Sequence, residues 1–206
     1  MTTLSPSISP ILSPVLSPEI SSLSKRRGFK LKLSNFTTSS DVKYSNNYDY
    51  KLSEILPFLW LGSYANACNH SEIFCKRTYN KTFSLIINVT PELKDGGCPN
   101  KFEHKNVRYL RIPVKDTLND DLISYFNKTY DAIEQERINK NNVFVHCRQG
   151  ISRSSTIVIG YIMRYLNISL SKALEFVKNR RHCVSPNIEF MRQLMILEKH
   201  IFKNEA

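Results

Sequence analysis

The sequence has no apolar run long enough to cross a bilayer. The longest, Thr156 to Met163, stops at Arg164, well short of the ~20 residues a spanning helix needs. It also lacks an N-terminal basic stretch followed by an apolar core and a small-residue cleavage site, so no secretory signal is expected. Thr2 stands where N-myristoylation would require glycine. Cysteine is sparse: Cys68, Cys75, Cys98, Cys147 and Cys183 form no C-x-x-C pair, which argues against a disulfide framework and a zinc site. These absences predict a reducing, cytoplasmic or nuclear location and no membrane span. Acids are outnumbered, 18 Asp and Glu against 29 Lys and Arg, for a net charge of +11. Such a balance suits nucleic acid, anionic lipid or phosphorylated substrates. Because no basic stripe is interleaved with aromatics, a nucleic-acid partner is not expected.

What is present divides the chain in two. Residues 1–49 carry Ser-Pro at Ser5, Ser9, Ser13 and Ser17, then Ser and Asn clusters, the composition of a disordered, basic extension. From residue 50 to 206 the composition is that of one folded domain, beginning with Ile55-Leu-Pro-Phe-Leu-Trp-Leu-Gly62. Ser84–Val89, Arg108–Val114 and Asn142–Val145 are short, apolar and bounded by polar residues, as buried strands are. Leu122, Phe126, Tyr130 and Ile133 share a helical face after Asn119, a candidate cap. Leu170, Ala173, Leu174 and Val177 share another after Ser169, and Phe190, Leu194, Leu197 and Ile201 a third after Ser185-Pro186. Alternating strands and helices predict an α/β fold with a mainly parallel central sheet flanked by helices.

The chemistry concentrates in Val143-Phe-Val-His146-Cys147-Arg148-Gln149-Gly150-Ile151-Ser152-Arg153-Ser154, followed by an apolar helix. Cys147 ends a strand, Gly150 permits a sharp turn, and the amides of residues 148–153 can converge on an anion. Arg153, six residues on, can return its planar fork over the same cradle. Those amides and the guanidinium favour a thiolate at Cys147. His146 is placed to orient the loop and Ser154 to donate to the sulfur. The bare Cys-x5-Arg spacing is weak, since five cysteines and the arginine content produce it by chance about one time in four. The flanking His, Gly, Ser, strand and helix supply the specificity.

The stretch His146-Cys-Arg-Gln-Gly-Ile-Ser-Arg-Ser-Ser-Thr-Ile-Val-Ile-Gly160 resembles the signature of dual-specificity protein phosphatases, particularly those acting on MAP kinases. The likeness runs over residues 50–202: Leu59-Trp-Leu-Gly-Ser63, Ile87-Asn-Val-Thr90 and Ser185-Pro-Asn-Ile-Glu-Phe-Met-Arg-Gln-Leu194 are similar to that family's first strand, next strand and closing helix. The resemblance implies a protein-tyrosine-phosphatase-like fold and a phosphorylated protein substrate, a MAP kinase. It also implies a phosphocysteine intermediate on Cys147, with residues 148–153 binding phosphate and Asn88 bracing the loop, and no metal or cofactor. Asp116, Asp120 and Asp121 all precede a helix, and residue type alone leaves the acid open. The family pattern, an Ile-Pro strand followed by a short step, selects Asp116, with Asp120 and Asp121 read as first-turn acids.

Three other readings compete. A phosphoinositide phosphatase shares the chemistry, but no Lys stands between Cys147 and Arg153. RNA 5′-triphosphatases tend to show an Asn before the arginine and a Gly after the serine, both missing here. A non-catalytic kinase-anchoring module would be favoured by a replaced nucleophile, and Cys147, Arg153 and Asp116 are all in place. In the extension, Lys25-Arg26-Arg27 followed by Leu31 and Leu33 resembles a MAP-kinase docking motif, while the basic cluster reads equally as a nuclear-localisation signal. The stretch Ala65–Phe83 is longer than the family usually has between its first two matched strands.

Overall fold

The computed structural model describes residues 51–74, 82–105 and 107–203. The Ser-Pro sites, the extension 1–49, the docking residues Lys25, Arg26, Arg27, Leu31 and Leu33, and most of the Cys75–Thr82 stretch lie outside the described residues. Five strands, β1 (Ser53–Leu56), β2 (Leu59–Gly62), β3 (Phe83–Asn88), β4 (Arg108–Arg111) and β5 (Asn142–His146), form one sheet in the order β1-β2-β5-β3-β4. Among the described strands only the β1–β2 pair is antiparallel; β2 with β5, β5 with β3 and β3 with β4 are parallel, as the alternation of strands and helices requires.

Side chains alternate across this sheet with the two-residue period of a strand. Leu59, Leu61, Leu85, Ile87, Val143 and Val145 point to one face. There they meet α3 (Phe126–Ile138), α4 (Arg153–Leu166), α5 (Leu170–Lys178) and α6 (Ile188–Lys203). Trp60, Ile86 and Phe144 point to the other, smaller core with Ala67 of α1 (Tyr64–Cys68), Ile73 of α2 (His70–Phe74), Phe102 and Val107. Each fully buried apolar side chain contributes about 1.5–3 kcal/mol. The long apolar stretch after Arg153 is explained by α4's position: every residue from Arg153 to Met163 is buried. At Gly160 an added Cβ would meet Leu197 and Phe126 at 3.1 Å, so glycine there lets α3 and α6 approach α4 closely.

Three local expectations are corrected. The strand expected over Arg108–Val114 ends at Arg111, because Pro113 has no amide for the ladder and Val114 N turns back to Ile112 O at 2.8 Å. Asn119 does not cap α3. The chain instead makes a 3-10 turn over Ile123–Tyr125, and α3 starts only at Phe126. The amides of Leu122 and Ile123 donate to Gln193 Oε1 of α6 at 2.8 and 3.0 Å. The closing helix starts at Ile188 rather than behind Ser185. Asn187 Oδ1 accepts from Phe190 N at 2.9 Å and so supplies the cap. Among the described residues, no helix is long and apolar enough to cross a membrane.

Candidate active site

Strand β5 ends at His146, and the chain turns through residues 147–152 into the first residue of α4, Arg153. Gly150 makes this possible with φ +71°, in the left-handed region that side chains resist. Ser152 stands at the N-cap of α4 but makes no side-chain cap bond. The helix start therefore keeps first-turn amides for another acceptor, the arrangement that binds anions.

Cys147 lies at the bottom of this turn, 1% exposed. Its Sγ accepts from Gly150 N at 3.2 Å and from Ser154 Oγ at 3.3 Å, both of which stabilise negative charge on sulfur. Arg153, the first residue of α4, donates Nη1 to Val114 O at 3.2 Å. Its Nε stands 3.4 Å from Asp116 Oδ2. That contact is an ion pair without hydrogen-bond alignment, since Nε has no hydrogen-bond partner. Asp116, its side chain a third exposed, comes from the segment after β4 and accepts from Ser152 Oγ at 2.7 Å through Oδ1. Cys147, Arg153, Ser154 and Asp116, spread over 39 positions of sequence, thus converge on one cradle.

The rest of the loop is braced from behind. Arg181, fully buried, donates Nε to Gly150 O at 2.9 Å and Nη2 to Gln149 O at 3.5 Å. Its Nη1 reaches Lys51 O at 2.9 Å and Ser53 Oγ at 3.2 Å. Ile151 O accepts from Ser185 N at 2.9 Å. Arg148 and Gln149 face outward, with Arg148 Nη2 on Gly96 O at 2.5 Å. Among the described residues, the Asn88 side chain makes no hydrogen bond to the Cys147 loop. Its Nδ2 donates to Cys98 O and Asn100 Oδ1, both at 2.9 Å, and Thr90 Oγ1 donates to its Oδ1 at 2.7 Å. Together with Arg111, which donates to Pro91 O at 2.8 Å and Cys98 O at 2.7 Å, it holds the 90–100 segment against which Arg148 rests.

Of the other acids, Asp121 Oδ1 accepts from Ser124 N at 3.2 Å, a helix-end role. Asp120 is no first-turn acid: it accepts from Lys115 N at 3.0 Å and from the Thr117 hydroxyl, folding the loop that carries Asp116. Sequence reasoning missed Arg181, Arg111 and Asn187. Asn187 donates Nδ2 to Asp116 Oδ1 at 2.9 Å. The only local signal for it was the helix start itself, where an Asn is a natural cap.

His146 is buried completely between the rings of Phe144 and Tyr64, at 5.5 and 6.1 Å between centroids. Nδ1 lies 3.2 Å from Cys147 O, which can only accept, so Nδ1 carries the proton of the neutral ring. Burial pushes the imidazole pKa down from 6.5 to about 4; the Cys147 carbonyl opposes this, and Arg111 and Arg153 reinforce it. An unfolded chain protonates this ring near pH 6.5 and the folded chain only near 4. Its contribution to stability is therefore complete above pH 6.5 and is lost as the pH falls toward 4, by about 3 kcal/mol at most. Urea midpoints at pH 7 and 4.5 should drop less in a His146→Gln chain than in the parent. Equal drops would show that the ring is not held neutral.

Comparison with known proteins gives this geometry its context. The model of the dual specificity phosphatase catalytic domain matches residues 59–200. Human "Dual specificity protein phosphatase 1" is 40% identical over 148 residues, which is 72% of this chain and 37% of that protein. "Dual specificity protein phosphatase Mpk3" of Drosophila melanogaster is 36% identical over 157 residues, 75% of this chain and 36% of that one. The chain thus spans little more than a third of the length of these relatives. Among solved structures, the human tyrosine phosphatase-like serine/threonine/tyrosine-interacting protein superposes with a TM-score of 0.67 at 30% identity, covering 73% of this chain and 97% of that one. With the family's domain model matched from β2 almost to the end of α6, the chain belongs to the dual-specificity phosphatase family.

Proposed function

We propose that this chain is a protein phosphatase, hydrolysing phosphotyrosine and phosphoserine or phosphothreonine through a phosphocysteine intermediate, with a MAP kinase as its substrate. The observation that carries the reading is the pair of donors on Cys147 Sγ, Gly150 N and Ser154 Oγ, at the start of a helix whose cap residue leaves the first-turn amides to a ligand. In the first step Sγ attacks phosphorus in line and the bond to the leaving oxygen breaks. Arg153 and the amides of residues 148–153 hold the non-bridging oxygens, and Asp116 gives its proton to the leaving oxygen. In the second, water attacks phosphorus, Asp116 takes a proton from it, the S–P bond breaks, and Ser154 receives the returning thiolate.

The MAP-kinase assignment rests on the kinship with dual-specificity phosphatases and on Lys25-Arg26-Arg27 with Leu31 and Leu33 in the extension. Basic residues of this kind meet an acidic patch, spaced leucines fill a groove, and the linkage raises the effective concentration of the phosphorylated loop. The alternatives, a phosphoinositide phosphatase and a non-catalytic anchor, separate in one set of assays. The chain should turn over a doubly phosphorylated kinase-loop peptide and leave phosphoinositide vesicles untouched. Alanine at Lys25, Arg26 and Arg27 should slow action on an intact phosphorylated MAP kinase about tenfold or more without changing turnover of p-nitrophenyl phosphate. Preferential lipid hydrolysis would replace the reading. Equal action of both chains on the kinase would return the basic cluster to a localisation role.

A further inference from the structure

Asn187 closes the loop before α6 and was read from sequence only as part of a helix start, yet its side chain joins two elements. Oδ1 accepts from Phe190 N at 2.9 Å, and its backbone carbonyl accepts from Met191 N at 3.0 Å. An amide whose oxygen is committed to a helix N–H has its orientation fixed, so Nδ2 must point the other way. There it donates to Asp116 Oδ1 at 2.9 Å and approaches Thr117 O at 3.5 Å. Its backbone N donates to Ser152 Oγ at 3.2 Å. The Ser152 hydroxyl, already accepting, turns its hydrogen onto the same Asp116 Oδ1 at 2.7 Å.

We infer that Asn187 is a positioning residue for the acid step: with Ser152 it loads both donors onto Asp116 Oδ1, so that the transferable proton resides on Oδ2. The inference rests on Asp116 being the general acid. A proton on Oδ1 would face two hydrogen atoms, whereas Oδ2 accepts no hydrogen bond from the described residues: Arg153 Nε stands 3.4 Å away with its N–H not aligned on it. The tether also restrains a carboxyl group on an exposed loop before any substrate arrives, and proton transfer is sensitive to displacements well below 1 Å.

The test uses the full-length chain at fixed pH. Asn187→Ser keeps a helix cap of equal quality but cannot reach Asp116. Its kcat/KM on a phosphotyrosine peptide should fall about tenfold. On p-nitrophenyl phosphate, whose leaving group needs little protonation, it should fall less than about twofold. Adding Asn187→Ser to an Asp116→Asn chain should cost nothing more on the peptide, because the two act as one unit. Equal losses on both substrates, or a full further loss in the Asp116→Asn background, would reduce Asn187 to a structural cap. Asp116→Asn should itself cost about a hundredfold on the peptide and less on the activated ester. If it does not discriminate between substrates, the acid assignment fails and takes the positioning role with it. If it does while Asn187→Ser does not, only the positioning role is overturned.

Discussion

A Cys147→Ser chain is expected to lose at least about 10⁴-fold in turnover of a phosphotyrosine peptide while keeping its melting temperature and its affinity for inorganic phosphate. The size of the effect follows from what surrounds the sulfur. Gly150 N and Ser154 Oγ stabilise an anion there, and a serine oxygen in the same place is a far poorer nucleophile than sulfur. The same two donors can bond a hydroxyl oxygen, and the substitution removes no volume that the core needs, so the fold and the cradle survive. Steady-state assay, thermal melting and calorimetric titration with phosphate measure the three quantities separately. Residual peptide turnover within tenfold of the parent would remove Cys147 from the chemistry. A collapse in melting temperature would make the activity loss uninformative about the nucleophile, and Cys147→Ala would then be the variant to measure.

Gly150→Ala is expected to cost about a hundredfold or more, through geometry alone. A Cβ on residue 150 would stand 2.5 Å from Gly62 O and 2.8 Å from Arg181 Nη2. Relieving a backbone clash to an ordinary contact of 3.4 Å or more displaces the loop by nearly 1 Å, a shift of the kind that costs about 10²-fold in a site built on alignment. The left-handed φ of +71° adds about 1–2 kcal/mol of strain for any residue with a side chain. Gly150 N is itself a donor to Sγ, so the moving atom is part of the site. A kcat/KM within a few-fold of the parent would mean that the loop relaxes without disturbing the sulfur.

The parts of this molecule legible in its sequence are those whose partners are near in the chain or whose pattern is periodic. The apolar runs of β3 and β5 were readable, as was the turn from Cys147 into the helix at Arg153, because its glycine and its flanking strand and helix are consecutive in the chain. The end of β4 and the start of α6 turn on single local groups, Pro113 and Asn187, that the reading passed over, whereas the start of α3 was misread because the group that sets it is remote. Gln193 meets the amides of Leu122 and Ile123 across 71 and 70 positions, which released Asn119 from the capping role its residue type suggested. Arg181 reaches Lys51 and Ser53 across 130 and 128 positions, and nothing in Asn179-Arg-Arg-His182 distinguishes it from an exposed basic cluster. Asn88 was expected at the nucleophile loop and instead organises the 90–100 segment. Its strand neighbour across the ladder is His146, so the expectation found the right strand and the wrong partner.

The strand order β1-β2-β5-β3-β4 also has a consequence for how the molecule comes into being. Synthesis delivers β2 and β3 long before β5, yet these two strands have no ladder with each other; each pairs with β5. Until residues 142–146 have left the ribosome, the nascent sheet is two separate pieces, β1-β2 and β3-β4, each with an open edge facing an unfilled slot. Closing the slot demands contacts distant in sequence on both sides at once, the kind of step that makes parallel sheets slow to fold and their precursors prone to adhere to other chains. The strand that completes the sheet is also the one that leads directly into Cys147, the proposed nucleophile. A chain interrupted before residue 142 therefore has neither a finished sheet nor Cys147, so the fold and the proposed chemistry become available in the same event.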